Sequence, residues 1–239
     1  MALFAPRSPV EERERRWIEK MLGWCAEQFG RGPLGADVLL PTPDFFPGRY
    51  EGSVSDVHDL VDLVRAYLRV DPREIVVELY DQSVPSLPRA LTAGRSIAGH
   101  YRVRDGLGVI SVGVEDAPDP RRVVAVAAHE LCHHKLLFTG LVGANEPDHE
   151  PLTDLTTVFF GLGVFTANAA FTFSQGSRGW QRRQLGYLNQ PMFGYALAYV
   201  ARMRGEADPA WARYLDVNPR GYFKQGMRYL GKRSSAVGG

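Results

Sequence analysis

VVAVAAHELCHHKLLF, residues 123–138, carries three histidines and a glutamate inside an apolar run. Its apolar first half predicts a buried helix. On a helix, His129 and His133 are four residues apart, about 400° of rotation, so they share one face one turn apart. Two imidazoles so placed can reach one cation such as Zn²⁺. Glu130 lies about 100° round from His129, beside that position, where a base must sit to take a proton from a water the metal activates. A buried pair of histidines beside a buried glutamate costs stability unless something satisfies them. A metal would do so, and the plain alternative is a core helix with packed, hydrogen-bonded imidazoles.

The surrounding elements follow from local signals. Residues 9–29 read as a helix with Trp17, Met21, Leu22, Trp24 and Cys25 at helical spacing. Residues 54–70 repeat the period with Val57, Leu60, Val61, Val64 and Leu68. Strands are expected at 74–81, 100–103 and 108–114, the last two joined by a hairpin turn at Asp105-Gly106. Asp119-Pro120 reads as an N-cap with proline in the first turn of the motif helix, and Gly140 as its stop. Helices are expected from Pro151 through the uncharged stretch, from Asn189-Gln190-Pro191 to about Arg204, and over 221–231. The order of helices, a small sheet and more helices is an α+β pattern. The chain is expected to form one domain over 1–239, with residues 1–50 a candidate N-terminal helical appendage.

With 239 residues and 45% hydrophobic content, the chain is long enough for a sizeable core. A net charge of +1 makes no case for nucleic acid or an anionic membrane surface as partner. Two cysteines, Cys25 and Cys132, are too few for a disulfide framework, and no apolar leader opens the chain. A cytoplasmic protein is expected. Residues 155–177 carry no charge and have the length of a membrane span, but Asn168, Gln175, threonines and glycines dilute them, so a core helix followed by a loop is expected instead.

A catalytic zinc needs a third protein ligand and an open position. A metzincin pattern would continue to a glycine and a third histidine, where this chain has Leu136 and Thr139. Downstream, HEPLTDLTT offers His149, Glu150 and Asp154, and the two carboxylates lie four residues apart on one helix face. H-E-x-x-H followed on the next helix by E-x-x-x-D resembles the gluzincins, the thermolysin-like zinc metallopeptidases, and their single-domain members, the minigluzincins. The similarity covers roughly residues 106–171. It implies a zincin-like fold with Zn²⁺ held by His129, His133 and Glu150. It also implies Asp154 as the residue that holds a ligand histidine by hydrogen bond, fixing its tautomer. Because Pro151 puts Glu150 at the helix N-cap, Asp154 stays open as the ligand, as in the aspzincin branch, with His149 behind both.

Other residues complete the expectation. Cys132 points away from the shared histidine face and reads as a small packed residue, and His134 as an ordinary polar helix residue. The strand at 108–114 precedes the motif helix, where zincins carry an edge strand that pairs with an extended peptide. Tyr195 and Tyr187 are candidates to stabilise an oxyanion, with Tyr199 beside them; tyrosines on an apolar helix are more often core. The basic segment 178–183 reads as a solvated loop. Residues 139–148 are long enough to shut or gate the site. The resemblance thus implies a zinc metallopeptidase acting on a peptide or protein substrate, with Glu130 as base. A non-catalytic zinc- or peptide-binding protein and a zinc hydrolase of a non-peptide substrate are the alternatives.

Overall fold

A computed structural model describes residues 6–46, 49–81, 99–175 and 188–237. The helices are α1 (Glu12–Phe29), α2 (Gly32–Gly35), α3 (Val54–Tyr67), α4 (Pro120–His133), α5 (His149–Phe159), α6 (Gly163–Gln175), α7 (Gln190–Met203) and α8 (Val217–Val237). The strands are β1 (Ile75–Tyr80), β2 (Gly99–Arg104) and β3 (Leu107–Gly113). The class is α+β, as expected.

The chain divides into two compact units. The first takes residues 1–40, 154–168 and 187–239, and the second takes 41–153 and 169–186. Within the first unit α1 packs on α7. The buried stripe of α1 is Ile18, Leu22 and Cys25, while Trp17 and Trp24 are only partly covered.

In the first unit α7 and α8 approach closely. A Cβ on Gly194 would run into Tyr222 Cβ, and one on Gly226 would come within 2.8 Å of Ala198 Cβ. Both glycines sit in helix interiors, where they cost helical stability, because no larger residue fits between the backbones. The uncharged stretch forms two helices where one was expected. It breaks at Gly161 (φ +83°), so α5 and α6 are separate helices. Among the described residues no helix is long and apolar enough to cross a membrane.

The second unit carries the sheet. β1 runs parallel to β3, and β2 antiparallel to it, in the order β1-β3-β2. Asp105 (φ +54°) and Gly106 (φ +77°) form the β2–β3 turn, both left-handed as a type I′ hairpin requires. β3 is therefore central, which corrects the expectation of an edge strand there. Its residues Val109, Ile110, Ser111 and Val112 are all buried, as a strand with a neighbour on each side demands. Among the described residues β1 and β2 are the edges on either side of it. α4 packs on β2, β3 and α3, burying the faces that carry Val57, Leu60, Val61 and Val64. Asp119 caps α4 by accepting from Arg121 N at 2.9 Å, and Pro120 opens the helix. After His133 the helix widens into one π turn, His134–Phe138, a local device frequent at functional sites.

Candidate metal centre

α4 presents the two histidines from a buried helix: His129 is 8% exposed and His133 is 5% exposed. The third member comes from the start of α5. That helix opens at His149, two residues earlier than Pro151 suggests, so Glu150 lies in its first turn and not at its N-cap. Pro151 is tolerated because first-turn N–H groups have no intrahelical acceptor anyway. A carboxylate in that turn is also favoured by the helix dipole.

Glu150 Oε2 lies 3.1 Å from His129 Nε2 and 3.2 Å from His133 Nε2. All three donor atoms fall within 4.8 Å of one another, the single such grouping among the described residues. Ligand atoms bound at about 2.0–2.1 Å around a tetrahedral ion sit about 3.3 Å apart, so the spacing could hold a metal ion. Glu150 keeps 22% of its side chain exposed, which leaves the group open on one side. Burial raises the carboxyl pKa of Glu150, but hydrogen bonds and charge from His129 and His133 outweigh it and hold it well below the usual range.

The proton positions follow from Thr153. A threonine hydroxyl has one proton to give. Thr153 donates it to the His149 carbonyl at 2.7 Å. Its 3.1 Å contact with His133 Nδ1 must then have the imidazole as donor. In the neutral ring this leaves a lone pair on Nε2, the atom facing Glu150. Two acceptors that close need something positive between them, either a second proton on the imidazole or a cation.

Glu130 is 5% exposed and follows His129 directly on α4. Asp154 lies outside the donor grouping; it is buried, and its Oδ2 accepts from Leu188 N at 2.9 Å. His149 is near but also outside the grouping. Its Nδ1 is 4.0 Å from Glu150 Oε1, buried and without a hydrogen-bond partner among the described residues, and its ring lies 5.6 Å from that of His133. Cys132 is fully buried, the packed residue expected. The tip of the 139–148 loop, residues 143–147, is exposed.

Two expectations are corrected. Tyr195 does not offer its hydroxyl to a cleft. It is fully buried in the first unit and donates to Glu19 Oε1 at 2.5 Å, where Arg15 and Arg233 also converge. Burial and the Glu19 charge push its phenol far up, and it serves as a core hydrogen-bond donor. Tyr187 and the basic segment 178–183 lie outside the described residues. His134 is no ordinary polar helix residue: it is 2% exposed and bonded on both nitrogens, to Tyr101 and to Glu74.

His100, on β2, was not singled out by any sequence signal. Burial lowers its pKa, with Arg102 and His133 adding and Glu150 opposing, so it stands within electrostatic reach of the cluster. Only the sheet order brings it there; a lone histidine in HYRV carries no spacing that would announce it. No family model, curated protein or solved structure matches this chain.

Proposed function

We propose that the protein is a zinc-dependent hydrolase, a metallopeptidase of gluzincin type, with His129, His133 and Glu150 as zinc ligands. The observation that carries this reading is the pair of facing acceptors. The Thr153 bond gives neutral His133 a lone pair at Nε2, 3.2 Å from a carboxylate oxygen of Glu150. A divalent cation resolves that pairing without charging the imidazole, and two histidines with a carboxylate are a donor set that zinc enzymes use. When bound, zinc polarises a substrate carbonyl and acidifies water.

The chain's own groups supply the remaining work. Glu130 accepts the proton of the attacking water and delivers it to the leaving amine. Glu150 and the two imidazoles hold the ion, and Thr153 keeps His133 in the tautomer that can do so. Strand addition by an extended peptide moves from β3 to β2, whose outer side is one of the two sheet edges among the described residues.

The test is turnover. The zinc-loaded protein, offered a mixed peptide pool beside simple amide and ester panels, is expected to cleave peptides. Activity should vanish with a chelator and return with added zinc. Cleavage of esters alone would move the substrate class away from peptides. Peptide binding without cleavage would make the protein a binding module.

A further inference from the structure

Next to the donor atoms, the second unit contains a chain of three side chains that ends against His133. Glu74 closes the short turn Pro72–Glu74 before β1, and its Oε2 lies 3.1 Å from His134 Nε2. A carboxylate can only accept, so that nitrogen carries the proton. His134 Nδ1 in the neutral ring is then an acceptor, and Tyr101 Oη lies 3.2 Å from it, placed to donate. The phenol ring, tethered by its hydroxyl, runs nearly parallel to the ring of His133, with centroids 6.2 Å apart and planes 16° apart. That is offset stacking.

The sheet is shaped around this chain. Gly108 of β3 has no side chain to project toward α4's end. A Cβ there would stand 2.7 Å from His134 Nδ1 and 3.0 Å from Tyr101 Cε2. The space a side chain would fill is taken by the imidazole and the phenol. His134 is buried and satisfied on both nitrogens, an expensive arrangement to keep if the histidine served only as filler.

We infer that Tyr101 is a positioning residue for the metal centre, its ring held by His134 and Glu74 so that it fixes the plane of the His133 imidazole. The Thr153 bond sets which edge of that ring faces Glu150, but it leaves rotation about the bond direction free. A stacked face removes that freedom and aims Nε2. The inference rests on the metal reading proposed above, and the experiment separates the two.

Zinc dissociation constants are measured by competition with a chromophoric chelator, alongside the visible bands of the Co²⁺-substituted protein. The set is wild type, Tyr101→Leu, Tyr101→Phe and Glu74→Gln. Tyr101→Leu is expected to bind zinc about 10- to 100-fold more weakly and to shift the Co²⁺ bands, the range seen when an outer partner of a metal ligand is lost. Tyr101→Phe and Glu74→Gln, which keep the ring but loosen its tether, should weaken binding by about 3- to 10-fold. A wild type that binds, with a folded Tyr101→Leu of equal affinity and unchanged bands, overturns the positioning role and leaves the metal site standing. A lowered melting temperature at unchanged affinity does the same. If Tyr101→Leu fails to fold, wild-type affinity in both milder variants is the overturning result. A wild type that binds neither ion removes the site and this inference together.

Discussion

Glu130→Gln is expected to lower kcat/KM for a cleaved peptide by about 10²- to 10⁴-fold while the zinc content of the protein stays that of wild type. The substitution keeps the shape of a side chain that is 5% exposed in a helix buried all round, so packing is preserved. What changes is chemistry: an amide cannot accept the proton of the attacking water. The loss corresponds to about 3–5 kcal/mol of transition-state stabilisation. Hydrolysis at the wild-type rate, on a substrate whose cleavage requires the zinc-loaded protein, would show that another group is the base. A variant that lost zinc as well would place Glu130 among the ligands and leave the base unassigned.

The second large effect belongs to Glu150. Glu150→Ala removes one of three protein donors and leaves two imidazoles. If the binding free energy of a four-coordinate zinc site, about 10–16 kcal/mol, is shared roughly equally, one ligand carries about 3–4 kcal/mol, on the order of 10²- to 10³-fold in affinity. The protein should therefore retain its fold and come off purification with little zinc. Asp154→Ala is the informative contrast. Its Oδ2 accepts the buried Leu188 N–H, so its loss should cost about 1–3 kcal/mol of stability first. Competition titration on both variants checks this. Zinc kept by Glu150→Ala but lost from a folded Asp154→Ala would transfer the third ligand to Asp154.

Much of the site was legible because its signals are local. The four-residue interval from His129 to His133 places two imidazoles on one helix face whatever surrounds it. Asp119-Pro120 and Asp105-Gly106 announce a helix start and a hairpin turn through backbone requirements that few residues meet. Glu150 was within reach for a similar reason, as the acidic residue at the opening of the next helix. Its favoured place over Asp154 accords with a donor grouping that includes one and not the other.

What escaped the sequence depends on pairing between distant segments. β3 sits between β1 and β2 because residues 75–80 pair with 108–113, a match no local pattern encodes. That order makes β2 an edge and brings Tyr101 beside the end of α4. His134 looked ordinary because its partners, Glu74 and Tyr101, lie 60 and 33 residues away in the chain. Tyr195 looked available because a buried tyrosine and a cleft tyrosine share the same helical spacing, and only the position of Glu19 separates them. Gly161 read as one more small residue in a core helix, yet its left-handed backbone ends α5. α8 runs past Gly231, which read as a stop, and through Gly226, which is small because α7 lies against it.

The central claim is that His129, His133 and Glu150 hold a zinc ion, and it is tested most directly by elemental analysis of the wild-type protein purified without added metal and again after zinc is offered at neutral pH. The account predicts about one zinc per chain, retained through gel filtration. No bound zinc in either sample would contradict it: the facing nitrogen and oxygen atoms would then be bridged by a proton on a charged imidazole, and α4 would be a core helix that pairs its histidines with Glu150.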